Sequence, residues 1–146
     1  MTAFEIRPPQ PGDRAGWEQL ARGYKQFYET ELDDAGYELA WQRLLSANEV
    51  HGLVLLDEGR LVGMAHYLMH ASTWSGPVCY LQDLFVAEAA RGRGVAAALI
   101  EAVAAAARAR GAARYYWLTH QDNARARGLY DRVGQHRGFL RYDYSL

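Results

Sequence analysis

Hydrophobic and polar positions change their periodicity several times along this 146-residue chain, and these changes predict a mixed α/β fold. Apolar positions at helical spacing predict helices over roughly residues 13–28, 36–47, 95–110 and 123–133. Segments rich in β-branched and aromatic residues predict strands near Ile6, over 53–67 (a hairpin turning at 57–60), over 78–86, over 114–119 and over 139–144. This order predicts one domain spanning residues 1–146, with a central mixed sheet flanked by helices and a parallel crossover through the helix from Val95.

Two glycines and two arginines stand where a predicted strand gives way to a predicted helix. The segment Arg91-Gly92-Arg93-Gly94 follows the strand over 78–86 and precedes the alanine-rich helix. Backbone N–H groups and the positive end of a helix bind phosphate at such a junction. Glycine leaves the backbone free to approach the anion closely. The segment therefore predicts a site for a phosphate-bearing cofactor.

Three interpretations of this glycine loop follow from the residues alone. A Walker-type loop requires Gly-Lys-Ser/Thr, and Gly94-Val95-Ala96 has neither the lysine nor the hydroxyl. A dinucleotide fingerprint matches Gly92-x-Gly94-x-x-Ala97. However, residues 87–91 separate the strand from the glycines, and the first acid past the next strand, Asp122, comes later than the usual roughly 20 residues. The third interpretation is a turn that binds no ligand.

Composition and charge narrow the classes of function. Residues 1–90 contain 6 basic and 13 acidic side chains, a net charge of −7, whereas residues 91–146 contain 10 arginines and 4 acids, a net charge of +6. This division suits a polyanionic cofactor on one half and a cationic partner on the other. An overall charge of −1 does not favour nucleic-acid binding. We expect a cytoplasmic protein that does not bind membranes. This expectation rests on the single Cys79, the lack of a long apolar run and the lack of a leader pattern at the first residues. The five histidines show no metal-ligand spacing, so we expect no metal.

Two motifs resemble those of a known superfamily. Arg91-x-x-Gly94-x-Ala96 and Asn123-x-x-Ala126-x-x-Leu129-Tyr130-x-x-x-Gly134 are similar to signatures of the GNAT superfamily of N-acetyltransferases. Residues 80–86 and 116–123 look most like its branch of diamine, polyamine and histone acetyltransferases. The resemblance implies the GNAT fold and transfer of an acetyl group from acetyl-CoA to a primary amine by direct attack in a ternary complex. The amine would belong to a small molecule, a polyamine, an amino acid or a protein lysine, and the family resemblance suggests a homodimer.

The resemblance also assigns cofactor roles to particular residues. The backbone of the strand end would pair with pantetheine, the amides of the glycine loop would surround the pyrophosphate, and two arginines would add charge. Asn123 would hold a pantetheine amide. Tyr130 would protonate the departing thiolate. With reference pKa values of about 10 for a tyrosine and about 8.5 for a thiol, Tyr130 is neutral at pH 7 and therefore holds a proton to give. The expected cofactor contacts are Leu84, Phe85, Val86, Arg91, Gly92, Arg93, Gly94, Val95, Ala96, Ala97 and Asn123.

The sequence offers several candidates for the general base. Diamine acetyltransferases have Glu-Asp where this chain has Gln82-Asp83, and an amide cannot accept a proton in the same way. Asp83 remains as a base or as the anchor of a water, but strand alternation points it to the opposite face unless a bulge redirects it. His66, His70 and His120 are alternatives that would act through water.

The acceptor side is expected to come from the N-terminal helices and nearby strand ends. Five acids between positions 29 and 38 adjoin aromatic residues, a combination that attracts an ammonium group or only forms a solvated loop. The candidate acceptor contacts are Tyr24, Tyr28, Glu29, Gln82, Trp117 and His120. Two other functions stay open: a non-catalytic acyl-CoA sensor with the same fold, and a small dinucleotide-binding domain.

Overall fold

The computed structural model describes residues 4–146; residues 1–3, on which the expectation about a leader partly rests, lie outside the described part. Five strands and four helices form the chain. The strands are β1 (Phe4–Arg7), β2 (Val50–Asp57), β3 (Arg60–His70), β4 (Val78–Val86) and β5 (Arg114–Trp117). The helices are α1 (Arg14–Phe27), α2 (Asp34–Ser46), α3 (Val95–Ala109) and α4 (Ala124–Val133).

The strands form one sheet in the order β1-β2-β3-β4-β5. The first three pairings are antiparallel, and β4 pairs with β5 in parallel. Helix α3 makes the crossover between these two parallel strands, as the sequence pattern predicts. The mixed α/β fold with a central sheet is confirmed.

Two hydrophobic clusters cover the two faces of the sheet. On one face, α3 packs its apolar stripe, which includes the fully buried Leu99 and Val103, against β2, β3 and β4. On the other face, α1 and α2 bury Trp17, Leu20 and Trp41 around Met64 of β3. Helices α1, α2 and α3 thus each bury apolar residues at helical spacing, whereas α4 has no fully buried residue.

The last predicted strand, over residues 139–144, is wrong. No strand follows α4 in the described chain, and the side chains of Phe139, Tyr142 and Tyr144 are 84%, 88% and 88% exposed. The apolar alternation reflects β-propensity, but a strand forms only where a neighbouring strand supplies hydrogen-bond partners. The predicted strand over 114–119 is also shorter, since β5 ends at Trp117.

Within residues 4–146, none of the helices is both long enough and apolar enough to cross a membrane.

Candidate active site

The pairing between β4 and β5 ends partway along β4. Their pairing runs only from Val78 opposite Arg114 to Leu81 opposite Trp117, whereas β4 continues to Val86. Residues 82–86 therefore have backbone groups on the β5 side that no strand of the described chain pairs with. Leu84, Phe85 and Val86, the expected pantetheine contacts, all lie on this open edge. An extended ligand with amide groups fits such an edge as an added strand would.

The glycine loop continues from this edge into α3. Gly92 and Gly94 have φ values of +80° and +81°, in the left-handed region where glycine is favoured. A Cβ at either position would meet no atom within 4 Å. The backbone conformation, and not close packing inside the protein, therefore requires glycine here. Gly94 is also the N-cap residue of α3 and supplies no side-chain cap. Val95, Ala96 and Ala97 form the first helical turn, so their amides face the same opening as the positive helix end.

The two arginines of the loop have partners in the protein. The Nε atom of Arg91 donates to the carbonyl oxygen of Val86 at 3.2 Å, and its guanidinium lies 5.6 Å from the Phe85 ring centre. Arg93 forms an ion pair with Asp57 at 2.6 Å. Arg91 therefore fixes the strand end against the loop. Arg93 joins the loop to the end of β2.

A β-bulge in β4 redirects Asp83. Leu84 pairs with Ala65 and Asp83 with His66, but the next pair is Leu81 with Tyr67, so Gln82 is the extra residue. Leu81 and Leu84 pack against the α3-side cluster, while Phe85 packs against the α1-side cluster. Asp83 lies on the α1 side because the bulge shifts the alternation by one residue. Gln82 itself is exposed.

Asp83 is held by hydrogen bonds in a largely enclosed position. His66 Nδ1 lies 3.0 Å from Asp83 Oδ2, and the indole Nε1 of Trp17 donates to His66 Nε2 at 3.0 Å. Burial alone would raise the pKa of Asp83, but hydrogen bonds from His66 and Tyr24 and the nearby Lys25 charge bring that pKa below its usual range. Asp83 is therefore a carboxylate at neutral pH. Burial, followed by the Asp83 charge, raises the pKa of Tyr24 and keeps its phenol neutral.

Tyr130 lies half-buried among aromatic rings. Its ring meets Trp117 edge-on at 5.5 Å between centres, and it packs against the α3-side cluster. Burial, with a smaller contribution from Tyr28, raises the pKa of Tyr130 above its usual value. The Tyr130 hydroxyl thus keeps its proton throughout the neutral pH range.

A cavity of about 320 Å³ opens beside these rings. It is lined by Phe27, Tyr28, Glu29, His120, Asp122 and Asn123. Tyr28 and His120 have ring centres 5.8 Å apart. Asn123 begins α4 by accepting from the Ala126 amide at 3.4 Å, so it serves as an N-cap and also lines the cavity. Three predicted acceptor contacts, Tyr28, Glu29 and His120, come together here.

Other candidates have structural partners. Among the acids between positions 29 and 38, Asp33 caps α2, Asp34 binds Arg22 and Glu38 binds Arg14. These contacts account for much of the predicted acidic rim as helix caps and ion pairs.

Two further chemical candidates lie outside the site. His70 is turned toward Ala71 and Tyr116 and is hydrogen bonded to both. Burial raises the pKa of the Cys79 thiol to about 11, so it is not a nucleophile at neutral pH. Within residues 4–146, no group of three or more His, Cys, Asp or Glu side chains is arranged to hold a metal ion.

Comparison with known proteins identifies the family. The profile of the Acetyltransferase (GNAT) family matches residues 17–135. The chain belongs to this family and is an acyltransferase. The family match includes the open β4 edge, the glycine loop and helix α4, so the resemblance seen in the two motifs is confirmed.

Individual relatives agree with this assignment. The chain is 33% identical to the D-amino-acid N-acetyltransferase of Saccharomyces cerevisiae over 132 residues, which cover 88% of this chain and 82% of the relative. It is 32% identical over 84 residues to the thialysine N-epsilon-acetyltransferase of Caenorhabditis elegans, covering 58% and 52% of the two chains. The fold matches the aminoglycoside N-acetyltransferase AAC(6')-Iy in complex with CoA, with a TM-score of 0.86, 21% identity, and coverage of 100% and 96%.

Sequence reasoning missed the connection between Trp17 and the site. The helical stripe of α1 identifies Trp17 as a core residue, and it is 2% exposed. Its indole nitrogen is nevertheless directed at His66, which the register of β3 places opposite Asp83. Alternation along β3 places His66 on the same face as Met64, but only the bulge at Gln82 brings Asp83 to that face.

Proposed function

We propose that this protein transfers the acetyl group of acetyl-CoA to a primary amine by direct attack in a ternary complex. The observation that supports this most strongly is the open edge of β4 leading into the glycine loop. A single continuous surface there offers strand-like hydrogen bonds to pantetheine at residues 84–86, followed by free helix-end amides for the pyrophosphate. Arg91 stiffens the join between the two by binding the Val86 carbonyl.

The proposed reaction uses two side chains, one as proton acceptor and one as proton donor. The amine nitrogen attacks the thioester carbon and the C–S bond breaks. Asp83 accepts a proton from the nitrogen, directly or through a water that it anchors. A carboxylate of low pKa suffices for this role, because the proton on that nitrogen becomes far more acidic as the C–N bond forms.

Tyr130 donates the proton that the CoA thiolate requires. Reference pKa values of about 10 for tyrosine and about 8.5 for a thiol make this transfer unfavourable by about 2 kcal/mol. Burial of Tyr130 adds to that cost but also ensures that the proton is present. The tyrosinate then recovers a proton from solvent and Asp83 releases its proton to solvent, which completes the cycle.

The acceptor amine would enter past the cavity at the end of α1. Tyr28 and His120 form its aromatic wall and Glu29 supplies a carboxylate, a combination that favours a cationic group. Tyr24 lies between this cavity and Asp83, since it contacts both Tyr28 and the carboxylate. Gln82 and Trp117 would border the same path. The relatives named above act on amino acids, a lysine analogue or aminoglycosides, so we propose a small amine as the acceptor.

The test is release of free CoA thiol across a panel of D- and L-amino acids, thialysine, polyamines, aminoglycosides and a lysine-rich peptide. We expect turnover with one class, and a reduction of about 100-fold in kcat for Tyr130→Phe, within the range typical of a general acid. CoA binding without turnover on any acceptor would support an acyl-CoA sensor instead. Binding of a nicotinamide dinucleotide in place of CoA would support a dinucleotide-binding domain.

We propose further that the protein is a homodimer and that the segment 139–146 forms part of the contact. Its exposed Leu140, Tyr142 and Tyr144 alternate as a strand would, with the exposed Phe139 beside them, yet no strand of the described chain accepts them. The outer edge of β5 is equally without a strand partner among residues 4–146. Burying four such side chains from each copy would remove very roughly 1,300 Å² in total, within the range of stable interfaces.

Light scattering after size exclusion tests this assembly. The full chain of 16.4 kDa should give a measured molar mass of twice that value, and a chain ending at Arg137 should give the mass of a monomer. A monomeric full chain, or a truncated chain that stays dimeric, would contradict the proposal. We place this dimer in the cytoplasm, where a lone buried thiol such as Cys79 is typical.

A further inference from the structure

We propose that Trp17 and His66 are positioning residues that fix Asp83 as the proton acceptor of the acyl transfer. This inference rests on the proposed function, and it assigns a role to two residues outside the cofactor and acceptor contacts. Three elements supply one residue each to the chain of hydrogen bonds: Trp17 from α1, His66 from β3 and Asp83 from β4. The chain ends at the carboxylate beside the open edge of β4.

The direction of these hydrogen bonds determines the tautomer of His66. An indole nitrogen can only donate, so the His66 Nε2 atom, 3.0 Å from Trp17 Nε1, must accept and cannot hold a proton. The proton of the neutral ring is therefore on Nδ1, which lies 3.0 Å from Asp83 Oδ2 and donates to it. Trp17 thus ensures that Asp83 always meets an N–H group and never a lone pair.

This arrangement leaves the carboxylate partly accessible to substrate. Oδ2 is occupied by His66, and the carboxyl side chain is 22% exposed, so the group is oriented but not sealed. The other ionisable groups around it are Tyr24, Tyr28 and Lys25 from α1 and Tyr80 from β4. Of these, only Lys25 is a cation at neutral pH. His66 and Tyr24 are thus the two donors to the carboxylate, and His66 is the one that Trp17 orients.

Replacement of His66 should change the pH dependence of the reaction and not only its rate. In His66→Phe, burial of Asp83 is no longer opposed by the Nδ1–H donor, so the pKa of the carboxyl rises. We expect the acid limb of the kcat profile, at saturating acceptor, to move upward by about one pH unit and kcat at neutral pH to fall about tenfold. His66→Asn retains an N–H near the position of Nδ1 and should restore most of both properties. Trp17→Phe keeps an aromatic ring, although a smaller one, and removes the N–H that binds His66 Nε2. It should move the acid limb in the same direction by a smaller amount.

A matched control variant and two further measurements separate positioning from folding. His70→Phe is the matched control, because His70 is also a partly buried strand histidine but binds Tyr116 instead of Asp83; its limb should not move. Thermal unfolding of every variant shows whether each one folds. The ¹⁵N shifts of His66 in the wild-type enzyme should report a protonated Nδ1 and an unprotonated Nε2. A protonated Nε2 would overturn the proposal, as would an unmoved acid limb in folded His66→Phe or a failure of His66→Asn to restore it.

Discussion

Replacement of Gly94 by alanine should weaken acetyl-CoA binding in addition to destabilising the fold. Gly94 has a φ of +81°, and alanine in the left-handed region costs about 1–2 kcal/mol. A Cβ there would meet nothing within 4 Å, so no steric clash inside the protein adds to that cost. Relaxation of this strain, together with a methyl group facing the opening, would displace the amides that we propose bind the pyrophosphate.

The loss can be estimated from the contacts. A hydrogen bond to a charged group contributes about 1.5–3 kcal/mol, so loss of one such bond raises the Kd for acetyl-CoA by about 10- to 100-fold. Calorimetric titration with acetyl-CoA measures this directly. The strain alone should lower Tm by about 3–6 °C for a chain of this size.

Gly59→Ala is a matched control for this experiment. Gly59 has a φ of +83° and equally open surroundings, but it lies in the turn between β2 and β3 and is not among the expected cofactor contacts. It should show a similar fall in Tm with an unchanged Kd. Equal Kd values for Gly94→Ala and the wild type would refute the assignment of the glycine loop to phosphate binding.

Three other predictions concern stability and reactivity. Because the hydrogen bond from Arg7 lowers the pKa of Asp13, the carboxylate stabilises the fold above its unfolded pKa of about 3.9 and that stability is lost as pH falls through the lower folded value. Thermal melts of Asp13→Asn should therefore show a deficit at pH 7 that shrinks as the pH falls below about 3.9; a constant deficit would be inconsistent with this. Cys79, with a pKa of about 11 and full burial, should resist iodoacetamide at pH 8 in the native protein and react after denaturation, as mass spectrometry would show. Gly63→Ala would place a Cβ 2.8 Å from Val95 and should cost about 1–3 kcal/mol in urea unfolding, and a neutral result would mean that α3 shifts freely.

The sequence predicts the helices and the crossover well because each is set by local periodicity. The stripe containing Leu99 and Val103 defines α3 before any tertiary contact is known, and Gly111, in the left-handed conformation, ends it as expected. The same local reasoning fails for residues 139–144. The alternation of apolar and polar residues there is typical of a strand. A strand forms only beside a partner strand, and the described chain supplies none for this segment.

The candidate site divides in the same way. The glycine loop is predictable because its requirements, two glycines with positive φ and a helix start, lie within a few consecutive residues. The position of Asp83 is not, since a bulge of one residue in β4 decides which face it occupies. The link from Trp17 to His66 depends on how α1 crosses the sheet, 49 residues away along the chain. Nothing local in the sequence indicates that contact.

The most direct test of the account is turnover of Asp83→Asn compared with Gln82→Ala, using acetyl-CoA and the acceptor that the panel identifies. The substitution at position 83 preserves shape but removes the carboxylate, while Gln82 is the exposed extra residue of the bulge. We predict that Asp83→Asn binds acetyl-CoA normally and loses about 100-fold or more in kcat/KM, whereas Gln82→Ala loses less than tenfold. Wild-type turnover in Asp83→Asn, or a greater loss in Gln82→Ala, would contradict the claim that the bulge delivers the catalytic carboxylate to the open edge of β4.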